Sequence, residues 1–572
     1  MQKQYRLRKR SHEDLIADLL NARGVEEEAQ ERFLKPDFER DSHDPFLLPD
    51  MEKAVERVLR AREQKEIVVV WSDYDADGLP AGVMLTQFLR DIGLHIIHHI
   101  PHRNNDGFGL NKKGIEDLSK QGVTLMITAD CGTTDAEQIA FANEKGIDTI
   151  VTDHHVVPAS AEKTLSSAAG QQGDASESVF SAPFALINPK RSDSSYPFDG
   201  LCGAGVAWKL VQGILKKNRP EGYADGREKW FLDLVGIATL SDMVPLVDEN
   251  RMLAHFGLTV MRRARRPGLS ALLKLLKIKP ATLTEDDVGF MISPRINAAS
   301  RMGNPLTAAR LLAAEGEEAV ELARELQALN DERKGVVAAT VKEANKRLAE
   351  QAVPSSVIVM GSPKWRPGIL GLVASSLVET HQKPVFLWGR EGGEELKGSC
   401  RSDGVANVVD CMRLAHAEDL FVDFGGHHGS GGFSLTQERV HELHTRLEQA
   451  YESLRSEISA AVEVQIDREL ELAELPHALK GIQQLAPFGV GHTKPLFILP
   501  GVTISNIKLF GKTQNHLGLS LTKDTARTEG IAFFSTPESF GKPIVKDMKA
   551  DIVGHVELDW RGQPRIRIVD IL

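Results

Sequence analysis

The chain has 572 residues, 42% hydrophobic and 26% charged, with a formal net charge of -11. This composition excludes a disordered or fibrous chain. The acidic balance excludes a uniformly basic nucleic-acid binder, but it leaves room for a local cationic channel. The four scattered cysteines have no CxxC spacing, which excludes a zinc ribbon or a redox pair and suits a reducing compartment.

Residues 1–50 open on the stretch MQKQYRLRKRSHEDL, which is basic but runs into no apolar leader. They are read as an N-terminal extension. No apolar run approaches the roughly 20 residues of a membrane helix, so a cytoplasmic chain with no membrane span is expected. From Ile67 short apolar runs alternate with amphipathic stretches: IVVVW, LHIIHHI, TLMIT and DTIVT as strands, with AGVMLTQFLRDIG, KKGIEDLSK and DAEQIAFANEKG as helices. That alternation predicts a parallel α/β sheet in a first domain over 51–314. In such sheets function gathers at the carboxyl ends of the strands. The Ser-, Ala- and Gly-rich segment 158–183 is read as a surface insertion.

Residues 315–352 hold no Pro and little Gly and predict one or two long connecting helices. A second α/β domain is expected over 353–463, with a boundary near Val353-Pro354. Beyond Val464, VTISNIKL, HLGLSLTK, TEGIAFFS, KADIVGHVEL and PRIRIVDIL read as strands of a small β-barrel of the OB type over 464–572.

The chemistry-bearing residues fall at predicted strand ends. Asp73, Asp75 and Asp77 alternate on one extended loop, so their carboxylates point to one side. Grouping them costs self-repulsion unless a cation compensates. Asp130 ends the next-but-one strand, Asp153, His154 and His155 end the one after it, and Asp242 follows in TLSDMVPL. A lone DxD loop is usually just solvated. Four acidic or His clusters together favour a metal centre, and carboxylate with imidazole suits Mn²⁺ or Mg²⁺. Two such ions about 4 Å apart can clamp a phosphate.

Other groups suit a polyanion. Arg401, between Ser399 and Ser402, offers a forked donor with two hydroxyls. Gly425, Gly426 and His427 permit close backbone approach to phosphate. Arg295, Asn297 and Arg301 form a polar cluster that could line a channel. The run Arg262, Arg263, Arg265 and Arg266 is either a solvated helix end or a DNA-backbone contact. In the barrel, Lys508, Phe510, Lys512, His516 and the hairpin RGQPRIR have the composition of a single-strand binding face, with Phe510 equally readable as a core residue.

SDYDADG, TADCG, VTDHH and ATLSDMVPLVDENR, in that order, resemble the four motifs of the DHH phosphoesterases. FLKPDFERDSHDPFLLPDMEKAVERV, HIPHRNNDGFGLNKKGI, LINPKR, GAGVAWKL, ISPRINAASRMG, KWRPGILGLVASSL, GSCRS, FGGHHGSGGFSL and LAPFGVGHTKPLF narrow the resemblance to the RecJ type, over about residues 30 to 572. The resemblance implies a DHH parallel-sheet domain and a DHH-associated α/β domain joined by a long helix, with a C-terminal OB-like barrel. It implies a dinuclear site with Asp75, Asp77, Asp130, His154 and Asp242 as ligands and Asp130 as bridge. Asp73 and Asp153 would orient ligands from behind, and His155 would face the scissile phosphate.

The implied activity is 5′→3′ hydrolysis of single-stranded DNA with two Mn²⁺ or Mg²⁺ ions, in repair and recombination. The implied protein is a monomer, partnered by a helicase and a single-strand-binding protein. The alternatives are a DHH phosphodiesterase of short RNA or cyclic dinucleotides, or a non-catalytic DNA-binding scaffold. Several positions depart from the family pattern: Ser72, Pro80, Ser300, Arg366, Ser376 and Gly429 to Gly431, together with GHTKP. None removes an expected ligand.

Overall fold

The computed structural model describes residues 4–103, 107–159, 182–350, 355–390, 395–417, 419–455, 463–511, 514–559 and 561–572. The expected insertion 158–183, all but its ends, lies outside the described residues. So do the boundary near Val353-Pro354 and Lys512. The chain forms two compact units. One comprises Met1–Ser42, Pro245–His255 and Ala461–Leu572; the other comprises His43–Val244 and Phe256–Ala460.

The larger unit carries two α/β layers. The first is a five-stranded, all-parallel sheet in the order His95–His99, Ile67–Ser72, Val123–Ala129, Asp148–Thr152, Ala185–Ile187. The expected strands are present, and Ala185–Ile187 joins them at the edge. Val68, Val69, Val70 and Trp71 are wholly buried, because a parallel sheet is covered on both faces by its crossover helices. Those helices include Gly78–Asp91, Lys112–Ser119 and Ala136–Glu144. Pro80 falls in the first turn of Gly78–Asp91, where its missing N–H is harmless.

A single 34-residue helix, Gly316–Ala349, connects this layer to the next. The second layer is a mixed sheet in the order Asp423–His427, Ser430–Leu435, Leu396–Arg401, Val385–Gly389, Ile358–Ser362. Only its last pair is parallel.

In the smaller unit, strands Phe497–Phe510, His516–Lys523, Ala526–Ala532, Pro564–Ile571 and Lys549–Leu558 pair in sequence, and the last closes on the first. This is the closed five-stranded barrel expected from the strand pattern. The first 42 residues, expected as an extension, pack with it. Gln4–Leu7 pairs in parallel with Glu463–Ile466. Leu15, Leu19 and Leu20 enter the same core as Leu485, Leu517 and Ile566. Residues 245–255 belong there too. Leu246 N–H donates to the Val490 carbonyl at 2.8 Å, and the Arg251 guanidinium lies 3.7 Å from the centre of the Phe33 ring. Cutting the chain near Val464 would therefore not free an independent domain.

Among the described residues no helix is long and apolar enough to cross a membrane. All four cysteines are buried and unpaired.

The shared core sets a test. Leu19→Ala leaves a cavity among barrel side chains, for a cost of about 2–4 kcal/mol. Amide exchange in Leu517, Leu519 and Leu521 should accelerate although they lie far away in sequence. Unchanged exchange in that strand would show that the N-terminal segment is not part of the barrel's cooperative unit.

Candidate metal centre and anion cleft

The carboxyl ends of the central strands converge on one cluster of carboxylates and imidazoles. Asp73 follows strand Ile67–Ser72, Asp130 follows Val123–Ala129, and Asp153 and His154 follow Asp148–Thr152. Asp242 comes instead from the C-terminal cap of helix Leu232–Ser241. Three overlapping sets each bring ligand atoms within 4.8 Å of one another: Asp73 with Asp75 and Asp130; Asp77 with His154 and Asp242; and Asp130 with His154 and His155. Asp73, expected behind the ligands, thus presents an oxygen among them.

The local backbone is shaped for this convergence. Asp75 Oδ1 accepts from the N–H groups of Asp77 and Gly78 at 2.8 and 3.0 Å, fixing the start of helix Gly78–Asp91. A Cβ on Gly78 would lie 2.7 Å from that of Asp73. Asp77 accepts from the first N–H groups of helix Gly203–Lys217, from Gly203 at 2.6 Å and from Ala204 at 2.8 Å, where the helix dipole favours an anion. A Cβ on Gly203 would lie 2.5 Å from Asp130 Oδ1, so only glycine lets that helix end approach so closely. Asp130 itself has φ +64°, a left-handed conformation that costs about 1–3 kcal/mol.

Asp153 lies behind the cluster. It accepts from the N–H groups of His154 and Thr133 at 2.7 and 3.0 Å and bonds His155 Nδ1 at 2.7 Å. Asn188 ties the surrounding loops together, donating to Thr133 Oγ1 at 3.1 Å and to the His155 carbonyl at 2.9 Å.

The electrostatics follow from burial. Burial and the neighbouring carboxylates push Asp73 and Asp130 well above the carboxylate range. The same causes raise Asp77 to about 7 and Asp242 to about 8. Burial also raises Asp153, but its bonds to His155 and Thr133 more than reverse this and hold it below the usual range. Burial lowers His155, while the Asp153 hydrogen bond and nearby carboxylates prevail and raise it to about 9. Burial and the charge of His155 lower His154 to about 4. His154 is therefore neutral, although its Nε2 lies 3.2 Å from Asp130, 3.6 Å from Asp242 and 3.8 Å from Asp77.

Among the described residues, buried Asp73 Oδ1 and Asp130 Oδ1 have no hydrogen-bond partner. Converging oxygens without donors, around a neutral imidazole, fit divalent cations. Two separate groupings, Asp73 with Asp75 and Asp130 and Asp77 with His154 and Asp242, linked by the third through Asp130 and His154, fit two of them.

Beside this cluster, a cleft of about 460 Å³ opens between the two α/β layers. Tyr74, Arg103, Phe108 and Arg301 line one side; Lys397, Ser399, Arg401, Gly426, His427 and Ser430 line the other. No carboxylate is among the described lining residues. Burial and nearby Arg103 and Arg333 lower Arg301 to about 9, and burial lowers Arg401. Arg401 NH1 donates to the Cys400 carbonyl at 2.7 Å and reaches Ser399 Oγ at 3.3 Å.

Not every expected residue faces the cleft. Side chains alternate along strand Leu396–Arg401: Lys397, Ser399 and Arg401 share the cleft side, while Cys400 enters the core. Ser402 follows the end of the strand and donates to the Ala406 carbonyl at 2.6 Å. Gly425 is absent from the lining, although Gly426 and His427 are in it.

Arg295 is buried, spent on the Gln327 side chain and the Met291 carbonyl at 2.9 and 2.5 Å. Asn297 Oδ1 accepts from Ala76 N–H at 2.9 Å, so this side chain braces the aspartate loop rather than the cleft wall. In the basic run, Arg262 donates to the Leu283 carbonyl, Arg266 forms a bidentate pair with Asp233, and Arg265 lies 4.0 Å from the centre of the Trp230 ring. Among the described residues, Arg263 and Arg265 have no such acceptor. In the barrel, Arg561 and Arg565 are paired with acids, while Phe510 packs beside His516 with ring centres 5.2 Å apart.

Sequence reasoning used Gly203, Asn188, Arg103 and Phe108 only as parts of a resemblance. A glycine at a helix start and an asparagine before Pro carry no local signal of where they approach.

Three family models match in chain order: the DHH family N-terminal domain over 67–239, the DHHA1 domain over 354–453 and the RecJ OB domain over 466–569. The chain is 30% identical to the single-stranded-DNA-specific exonuclease RecJ of Bacillus subtilis, over 97% of this chain and 67% of that one. It is equally identical to the protein of that name from Escherichia coli, over 79% of this chain and 78% of that one. Its fold matches RecJ of Thermus thermophilus in complex with Mn²⁺ with a TM-score of 0.76 at 25% identity, covering 100% of this chain and 79% of that one.

The carboxylate cluster predicts how stability responds to pH and metal. A folded-state pKa raised above the unfolded value means that the folded form binds more protons, so stability falls as pH rises from about 4 through about 8. Mn²⁺ should offset this, raising the melting temperature by about 5 °C or more at pH 8 and by less at pH 5. A metal-independent melting temperature at pH 8 would contradict the assignment.

The four motifs, the two α/β layers and the closed barrel together place the chain in the RecJ family of DHH phosphoesterases.

Proposed function

We propose that this chain is a single-stranded-DNA-specific exonuclease that degrades strands from a phosphorylated 5′ end. One juxtaposition carries the reading: a cluster of carboxylates and histidines opens onto a cleft whose described lining holds arginines, a lysine and hydroxyls but no acid. A carboxylate cluster alone would repel DNA, and a cationic cleft alone would only bind it.

Asp73, Asp75, Asp77, Asp130, His154 and Asp242 would hold two divalent cations, Mn²⁺ or Mg²⁺. When bound, such ions supply Lewis-acid polarisation of a phosphodiester and activation of water. Asp153 fixes the ring of His155 through Nδ1. With Nδ1 engaged by Asp153, the Nε2 side of the ring is left to meet an oxygen of the scissile phosphate. Arg401, Ser399, Arg301 and His427 receive the terminal phosphate, Arg401 as a forked donor. With that phosphate anchored in the cleft, the next phosphodiester along the strand reaches the carboxylates, so cleavage proceeds from the 5′ end. By resemblance, the reading extends to a cytoplasmic monomer acting in repair and recombination beside a helicase and a single-strand-binding protein. The barrel would serve as a further single-strand contact.

The test uses strands labelled at either end, with and without a 5′ phosphate. Asp130→Ala should abolish hydrolysis while leaving the fold intact. Arg401→Ala should lower kcat/KM on 5′-phosphorylated strands by about tenfold or more, the worth of a charge-assisted bond. It should affect 5′-hydroxyl strands much less. Equal removal of 3′-terminal nucleotides, or an Arg401→Ala effect indifferent to the 5′ phosphate, would overturn the polarity.

A further inference from the structure

A second groove, of about 690 Å³, lies between the connecting helix Gly316–Ala349 and helix Pro367–His381 of the second α/β layer. Two rows of side chains line it along the connecting helix, each at a spacing of i, i+4 and i+8. Val337, Val341 and Asn345 form the inner row, and exposed Lys334, Ala338 and Lys342 form the outer one. With Arg333 at one end, the lined stretch spans about 18 Å along the helix axis. Leu372 and Ser376 line the opposite side. Val337 and Val341 also pack against the core that holds Ile369, Val373 and Leu377, so the apolar floor is held in place. Ser376, one of the positions that depart from the family pattern, is small enough to leave the groove open.

The rim of this groove is cationic. No carboxylate is among the described lining residues. The acids closest in sequence on the same helix are engaged elsewhere. Asp331 accepts from Gln327 at 2.7 Å, Glu332 pairs with Arg366 at 3.2 Å, and Glu343 accepts from Trp365 Nε1 at 3.1 Å. Burial and the charges of Arg295 and Arg333 prevail over Asp331 and lower the Lys334 ammonium from its ordinary value. The whole chain carries a net charge of -11, so the groove is a local reversal of sign.

An aliphatic floor offers nothing to a phosphate, and the described lining holds no aromatic ring on which a base could stack. A polypeptide with apolar side chains on one face and carboxylates beside them satisfies both floor and rim. We propose that the groove is a docking site for an acidic amphipathic helix of a partner protein. Its apolar residues at i, i+3 or i+4 and i+7 lie over Val337, Val341 and Leu372, as in other helix-in-groove complexes. Its flanking carboxylates meet Arg333, Lys334 and Lys342. The charges select and steer the partner, and the apolar floor holds it.

The probe is a fluorescein-labelled peptide of about four helical turns, with leucines at that spacing and glutamates elsewhere. The control has the same composition with its leucines spread around the helix. Anisotropy with the full chain reports binding. The amphipathic peptide should bind about tenfold tighter than the control or better. Lys334→Glu combined with Lys342→Glu should weaken it by about tenfold or more. Ser376→Arg adds positive charge yet fills the groove, and it should weaken the peptide as much. Both variants should keep the wild-type melting temperature.

Unchanged or tighter binding in Ser376→Arg would mean that charge alone attracts the peptide, and it would overturn the docking site. Equal binding of the control would do the same. A further arm adds an unlabelled single DNA strand, in chelator, as competitor. A strand that displaces the peptide, and that itself binds more weakly to the double lysine variant, would make the groove a path for DNA and sink the proposal. Sedimentation showing self-association that Ser376→Arg abolishes would assign the groove to a second copy of the chain and sink it equally. None of these outcomes bears on the exonuclease reading, which concerns the other cleft.

Discussion

The site is governed by the repulsion among five aspartates, Asp73, Asp75, Asp77, Asp130 and Asp242, three of which, Asp77, Asp130 and Asp242, lie within 3.8 Å of His154 Nε2. Two unit charges 4 Å apart cost about 4 kcal/mol at an effective dielectric of 20, and here several such pairs occur in a largely buried place. The scaffold offsets part of that cost. The N-terminus of helix Gly203–Lys217 faces Asp77, the start of helix Gly78–Asp91 faces Asp75, and His155 faces Asp153. Asp73 Oδ1 and Asp130 Oδ1 receive no donor among the described residues, so the remaining cost falls to cations. Activity and stability thus depend on the same ions.

The rest of the larger unit can be understood as support for this cluster. A parallel sheet delivers three strand ends side by side, and the left-handed turn at Asp130 aims its carboxylate back toward the helix start at Gly203. Asn297 reaches from helix Ser293–Met302 to brace Ala76, and Arg301 on the same helix lines the cleft and donates to the Gly368 carbonyl of the second layer at 2.8 Å. One helix therefore touches the aspartate loop, the cleft and the second α/β layer. The unlike signs of cluster and cleft are what let a polyanion enter and still meet its cations.

Much of this was legible in the residues. The parallel sheet was visible because buried strands read as uninterrupted β-branched runs, and the acidic motifs were visible because they interrupt those runs at their carboxyl ends. The barrel was visible from five alternating segments. What escaped reading depends on direction and distance. Ser402 looks equivalent to Ser399 beside Arg401, but it follows the end of the strand and its hydroxyl is spent on the Ala406 carbonyl. Arg295 and Asn297 look like channel residues, but one is consumed by Gln327 and the Met291 carbonyl and the other by Ala76. The pairing of Gln4–Leu7 with Glu463–Ile466 joins segments more than 450 residues apart, and no local pattern encodes it.

The account stands or falls on how many cations the cluster holds. The direct measurement is a titration of Mn²⁺ into the metal-free chain at pH 8, with free ion counted by electron paramagnetic resonance. Two tightly held ions per chain are predicted, falling to one or none in Asp130→Asn, because Asp130 belongs to more than one ligand set. A full chain that retains fewer than two ions, or an Asp130→Asn variant that still retains both, would contradict it.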